Sequence, residues 1–286
     1  MKKTDNRIAY LRKQAGYTQK SLAEALHITD KAVSKWERGL SFPDVSILPK
    51  LSLLLDVDIS LLLSAEDHHH KGWMGVVDLQ NCDIDLRQKV YDKPLVYFLL
   101  VHFLLADVQN VCFLCSAENK KFLQQELFST LGFTFTFSLE DVSGNDLMIL
   151  CNPVFLFGAD LTRHFQGAMV SKTVTTLVPE YAAAPFLFCP SEYSALYPQK
   201  TDCLLDMSTP RSLGRGMVCL KLDDVDALTD ASNFVRLYQK QTGMLIGSLE
   251  EIAYKKGIIS KEILQQLAEN VTYGALLQAI ADSLPM

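Results

Sequence analysis

Near the start of the chain, Lys31, Ser34, Lys35 and Arg38 recur every three or four residues, with Thr29 and Asp30 just ahead of them. This is helical spacing. Ammonium and guanidinium groups neutralise phosphates, while hydroxyl, carboxylate and ammonium groups hydrogen-bond to base edges and so carry sequence preference. Thr29, Asp30, Lys31, Ser34 and Lys35 lie on the polar face of a helix whose other face carries Ala32, Val33 and Trp36. That face is suited to a nucleic-acid groove. Trp36 falls on the inward side and is expected in the core.

Positioning such a face requires a small helical frame, and the first sixty-odd residues predict five short helices. Arg7 to Ala15 places Ile8, Leu11 and Ala15 on one side, and Gly16 follows where a left-handed C-cap belongs. Thr18 is a good N-cap for Gln19 to Leu26, whose apolar face is Leu22, Ala23 and Leu26. His27-Ile28-Thr29 is a tight turn, Thr29 or Asp30 caps the third helix, and Gly39 stops it. Pro43 opens a fourth helix over Val45 to Leu55, and Ser60 starts a fifth. Two short helices joined by a tight turn are helix-turn-helix geometry, in which the second enters the major groove. Residues 5–63, and above all Val33-Ser34-Lys35-Trp36-Glu37-Arg38-Gly39, resemble the Cro-repressor-like (xenobiotic response element) family. The resemblance implies that Gln19 touches a phosphate. It also implies that Thr29, Asp30, Lys31, Ser34 and Lys35 face the groove of double-stranded DNA, with Arg38 in the same DNA-binding set.

At 286 residues the chain is long enough for two domains. Its charge is divided: residues 1–65 carry ten Lys/Arg against seven Asp/Glu, while the remainder carries seventeen against twenty-six. The net charge of −6 excludes a uniformly basic nucleic-acid coat, but a basic head on an acidic body fits a DNA-binding domain joined to something else. The polar string Ser64-Ala65-Glu66-Asp67-His68-His69-His70-Lys71-Gly72 marks the boundary, giving domains at 1–64 and 73–286 around a linker at 65–72. Three consecutive histidines cannot converge on one metal in a regular element, so the triplet reads as solvated linker.

No apolar signal segment follows Met1-Lys2-Lys3, and the longest apolar run, Leu95 to Ala106, falls short of the roughly 20 residues needed to cross a bilayer. It reads as a buried helix. Seven cysteines are an odd number. With no export signal they predict free thiols in a reducing cytoplasm. Cys112 and Cys115 form a lone CxxC in an apolar string, with no second pair and no adjacent histidine, and are expected as packed core thiols.

Beyond the linker, strand and helix patterns alternate. Trp73 to Leu79, Asn110 to Cys115, Phe133 to Phe137, Asp146 to Cys151 and Thr173 to Val178 read as extended. Pro94 to Ala106 reads as an amphipathic helix, Lys120 to Thr130 and Ala159 to Met169 as helices, and the chain from Asp224 onward as nearly all helical. This predicts an α/β fold with a largely parallel sheet and a helical C-terminus. Val90-Tyr91-Asp92-Lys93-Pro94-Leu95-Val96-Tyr97, Gly144-Asn145-Asp146, and the stretches Ala231 to Val235, Gln241 to Gly243 and Glu250 to Gly257 resemble glucose-1-phosphate thymidylyltransferases. The resemblance implies a sugar-nucleotidyltransferase-like domain, homo-oligomeric, with its C-terminal helices near interfaces and a regulatory nucleotide site.

The departures from that family are specific. Its glycine-rich phosphate turn is replaced by Val77-Asp78-Leu79-Gln80-Asn81-Cys82-Asp83. Its two metal aspartates correspond to Asn152 and Lys221, a neutral side chain and a cation. Its base- and sugar-reading segments, between Leu139 and Gly144 and between Val178 and Phe186, are missing. Losing both carboxylates removes the electrostatic centre of nucleotidyl transfer, so a degenerate domain with no catalytic residues, no metal and no cofactor is expected.

Other constellations add little. There is no GxSxG and no P-loop. Gly214-Arg215-Gly216 corresponds to the family's GRG, with Arg215 a candidate residual anion site. His102 and His164 have no triad partner in sequence view, and Asp223-Asp224 sits where a helix begins and its dipole favours carboxylates. The whole predicts a non-enzymatic, dimeric, DNA-binding regulator whose body senses a nucleotide sugar or sugar phosphate. The alternatives are a body that docks on an active thymidylyltransferase and one that retains sugar-1-phosphate nucleotidyltransferase activity.

Overall fold

The computed structural model describes residues 7–55, 72–80, 84–158, 161–171, 173–180 and 184–283. The chain divides into two compact units, Met1–Lys71 and Gly72–Met286. The fifth helix expected from Ser60, the linker through Lys71 with its histidine triplet, and Cys82 lie outside the described residues.

The head is built from α1 (Arg7–Gln14), α2 (Gln19–Leu26), α3 (Asp30–Glu37) and α4 (Leu48–Leu55). Thr18 caps α2 in a reciprocal box with Ser21, each satisfying the other's backbone N–H. Of the two candidate caps for α3 it is Thr29 that acts, its hydroxyl accepting from the Ala32 N–H at 3.3 Å. Gly16 takes the left-handed conformation, φ 74°, after α1. The α4 boundary differs from the sequence expectation, since the helix opens at Leu48 instead of Val45. Asp44 accepts from both the backbone N–H (2.9 Å) and the hydroxyl (2.6 Å) of Ser46, which fixes a turn there first. Leu22, Leu26, Val33, Trp36, Leu48 and Leu51 make up the head's core. Ala32 is only half-buried, because α3 turns Val33 and Trp36 most directly inward.

The body is a seven-stranded mixed sheet. Its strands are β1 (Trp73–Asp78), β4 (Asn110–Leu114), β5 (Thr134–Thr136), β6 (Asp146–Leu150), β8 (Thr175–Val178), β9 (Phe186–Cys189) and β10 (Thr209–Ser212), in the order β10-β8-β9-β6-β1-β4-β5. Only β9 runs antiparallel to its neighbours. A hairpin of β2 (Lys89–Val90) and β3 (Lys93–Pro94) and an antiparallel ribbon of β7 (Val154–Phe157) with β11 (Val218–Lys221) complete the strands.

Successive residues of β1 alternate between two cores: Trp73 and Val77 face one, Met74 and Val76 the other. Against the first packs α5 (Leu95–Leu105), ten of whose eleven residues are buried. It is therefore apolar all round and not amphipathic, as befits a helix enclosed by other elements. The single helix expected over Lys120 to Thr130 is two, α6 (Ala117–Leu123) and α7 (Glu126–Thr130), broken at an extended Gln125. Phe122 and Phe128 pack edge to face at 5.7 Å. Six residues apart they would point away from each other on one continuous helix, and the break brings them together.

Next come α8 (Leu161–Met169) and α9 (Thr201–Asp206), and the C-terminal helices are α10 (Val225–Thr242), α11 (Leu249–Lys255), α12 (Lys261–Ala268) and α13 (Gly274–Ser283). Asp224 caps α10 through the Ala227 N–H at 2.7 Å. Lys93, wholly buried, ties these helices to the β2–β3 hairpin. Its Nζ donates to Asp92 at 2.8 Å and to Gln239 of α10 at 3.1 Å, and lies 3.9 Å from the centre of the Tyr273 ring. No helix among the described residues is long and apolar enough to cross a membrane.

Candidate nucleic-acid interface

Asp30, Lys31, Lys35 and Arg38 are exposed along α3, and Ser34 is half-exposed between them. Val33 and Trp36 on the opposite side are buried. Lys31 and Lys35 are one turn apart, so their ammonium groups project from the same face. Asp30 accepts from the Lys31 N–H at 2.8 Å, and Arg38 Nε donates back to the Ser34 carbonyl at 3.2 Å. Thr29 spends its acceptor on the helix cap and keeps its hydroxyl proton.

A network not singled out from the sequence holds this face in place. Glu37, on the inner side of α3, accepts from Arg12 Nε of α1 at 2.5 Å and from Arg12 Nη2 at 3.3 Å. Arg12 Nη1 also donates to the Tyr17 carbonyl at 2.6 Å. Gln19, at the first turn of α2, donates through Nε2 to the second oxygen of Glu37 at 2.6 Å. Three helices are thus fastened by one carboxylate, and the side chains of Arg12 and Glu37 are both more than nine-tenths buried. One N–H of Gln19 is thereby committed to Glu37. The sequence held a signal for this: Arg12 falls four residues after Ile8 on the apolar side of α1, where a charge needs a partner.

In the body, Leu79 is buried directly after β1 and its N–H donates to the Leu114 carbonyl at 2.8 Å. Asp78 accepts from the Gln80 N–H at 3.0 Å, and Asn81 to Asp83 lie outside the described residues. Lys221 pairs with Val154 in the β7–β11 ribbon, and Leu222 donates to the Pro153 carbonyl at 2.9 Å. The backbone therefore brings the neighbourhoods of Asn152 and Lys221 to one end of the ribbon, and both side chains are exposed. Among the described residues no three His, Cys, Asp or Glu side chains converge in a metal-binding group. Arg215 is exposed, with Glu180 3.7 Å away. Burial pushes the thiols of Cys115 up to about 11 and of Cys151 and Cys189 up to about 12, so these are protonated packing groups at neutral pH.

A capped helix pair joined by a left-handed turn at His27, with a polar second helix facing outward, defines a helix-turn-helix DNA-binding unit. The helix-turn-helix (HTH_3) family model matches residues 8–62. The HTH-type transcriptional regulator ImmR of Bacillus subtilis is 35% identical over 94 residues, which span 32% of this chain and 72% of that protein. The HTH-type transcriptional regulator DicA of Escherichia coli is 43% identical over 61 residues, 21% of this chain and 45% of that one. The HTH-type transcriptional activator BcrR of Enterococcus faecalis is 36% identical over 63 residues, 22% of this chain and 31% of that one. The chain belongs to the family of HTH-type transcriptional regulators.

Two solved structures with a similar fold complete the comparison. One, a putative glucose-1-phosphate thymidylyltransferase from Bacillus anthracis, has a TM-score of 0.47 and 8% identity, over 62% of this chain and 98% of that one. The other, a UDP-glucose pyrophosphorylase from Acinetobacter baumannii, has a TM-score of 0.45 and 12% identity, over 60% of this chain and 95% of that one.

Proposed function

We propose that the head reads operator DNA through α3 and that the body is a non-catalytic, dimerising unit responsive to a nucleotide sugar or sugar phosphate. Lys31, Ser34 and Lys35 contact base edges and phosphates in the major groove, with Thr29 and Asp30 at the entering end. Gln19 and Arg38 engage the flanking phosphates. The observation that carries this reading is the two-sided character of α3, with Asp30, Lys31, Lys35 and Arg38 outward and Val33 and Trp36 sealed inward. Selection of bound fragments from genomic DNA, followed by titration of the best site, tests it. Lys31→Ala with Lys35→Ala is expected to weaken binding and to lower the slope of log affinity against log salt by about one to two. Unchanged affinity and slope would mean that another surface meets DNA.

The non-catalytic reading of the body rests on the sequence resemblance together with Asn152 and Lys221 at the metal-aspartate positions. An amide is a weak magnesium ligand, and an ammonium repels the ion.

A further inference from the structure

We propose that the body pairs with a second copy of itself through the outer face of α10, the two helices lying antiparallel about a two-fold axis at Asn233. Among the described residues of the body, the exposed large apolar side chains are Tyr91, Leu205, Met207, Val225, Leu237 and Met244. Three of these six lie along one helix: Val225 and Leu237 are on α10, and Met244 follows it directly. The opposite side of α10 is sealed by Leu228, Ala231, Val235 and Gln239, so the outer face is a surface in its own right.

Charge identifies the occupant. Asp226 and Asp230 lie on the exposed N-terminal half of α10, and Arg236 and Lys240 on the exposed C-terminal half. Asn233, also exposed, sits between them. None of the four charges is in an ion pair among the described residues. Each half also places like charges one turn apart, an arrangement that is unfavourable in an isolated helix. The helix dipole acts on charges in the first and last turns but fades beyond them, which leaves Asp230 and Arg236 exposed to solvent with room for a partner. A second α10 running antiparallel supplies one. The two-fold sets Asp226 opposite Lys240 of the other copy and Asp230 level with its Arg236, while Leu237 meets Thr229 near the centre. Such a contact is isologous, the form in which a surface is complementary to itself. Charge then fixes direction and register, and the apolar side chains contribute the burial.

The pairing rests on the dimeric reading above and gives it a geometry. One helix pair is smaller than a standard interface of roughly 1,600 Å², so the dimer is expected to form in the micromolar range. The full chain is measured by analytical ultracentrifugation from about 1 to 100 µM, the range around a micromolar dissociation constant. Asp226→Lys with Asp230→Lys should raise the dissociation constant at least tenfold, and adding Arg236→Asp with Lys240→Asp should restore it. Far-UV circular dichroism checks that each variant is folded. Asn233→Cys, with Cys82 and Cys203 replaced by Ser, should give a covalent dimer under copper-phenanthroline oxidation. A dimer indifferent to the charge reversal, with no cross-link at position 233, would overturn this pairing while sparing a dimeric regulator built on another surface. A chain that stays monomeric throughout would overturn both.

Discussion

His102 is wholly buried, and its hydrogen bonds define its protonation. Nε2 accepts from the Leu156 N–H at 2.9 Å, while Nδ1 lies 3.2 Å from the Leu99 carbonyl and so carries the proton. The rings of Phe155, Phe165 and Phe186 surround it at 5.0 to 6.2 Å between centroids. Burial pulls its pKa from 6.5 down to about 4, against the smaller opposing effect of its backbone partners. A depressed pKa stabilises the fold above the unfolded value, and that stability is lost as pH falls through 6.5 towards 4. The loss is on the order of 3 kcal/mol. Urea unfolding of the Trp36→Phe protein, followed by the remaining Trp73, should show a midpoint that declines over this range. His102→Phe should flatten that decline. It should also lower the midpoint at pH 8, because the buried Leu156 N–H loses its acceptor at a cost of about 1–3 kcal/mol. An unchanged pH dependence in His102→Phe would remove the histidine from the explanation. The same accounting applies to Lys93, whose pKa is lowered by burial against the opposing pull of Asp92. Both groups serve the fold of the body.

Among elements, β1 and α5 are fitted closely. A Cβ at Gly75 would lie 2.7 Å from two ring carbons of Phe103, with Val111 at 3.2 Å. The strand thus gives up a side chain so that a buried, largely apolar helix can approach it. Gly75→Ala should cost roughly 1–3 kcal/mol of body stability through overpacking, and Phe103→Leu in the same chain should recover part of that cost. Purely additive effects in the double-mutant cycle would show that the two positions do not meet.

This scale also separates what the sequence reveals from what it hides. α2 and α3 are readable because Thr18 and Thr29 cap them, Gly39 stands just past the second, and Leu22, Val33 and Trp36 mark their inner faces. The polar face of α3 is readable for the same reason. The Arg12–Glu37–Gln19 network is not, because it joins three helices and no local spacing records it. The α6–α7 break is also hard to read locally, since Phe128 packs on Tyr97 and Phe135 from other elements. Enclosure of α5 on every side depends on β7, α8 and the C-terminal helices, which an eleven-residue window cannot contain.

At the scale of the whole molecule, each unit holds one of the two tryptophans, Trp36 in the head and Trp73 in the body. Each can therefore be followed in the intact chain. If the body responds to a nucleotide sugar or a sugar phosphate, such a ligand should raise the transition seen by Trp73 in the Trp36→Phe protein. Bound at a hundred times its dissociation constant it adds about 2.7 kcal/mol, a shift of several degrees for a unit of this size. dTTP, UTP, glucose 1-phosphate and a dTDP-sugar at millimolar concentration form the panel, with and without magnesium. A magnesium-independent shift is expected, because Asn152 and Lys221 offer no carboxylate to the ion. Pyrophosphate release from dTTP and glucose 1-phosphate should stay at background. The two readouts are independent: a shift with turnover would make the body an enzyme, whereas a shift alone would make it a sensor. A flat panel would leave the outer face of α10 and the polar face of α3 as what the chain offers to partners, and ligand sensing would drop out of the account.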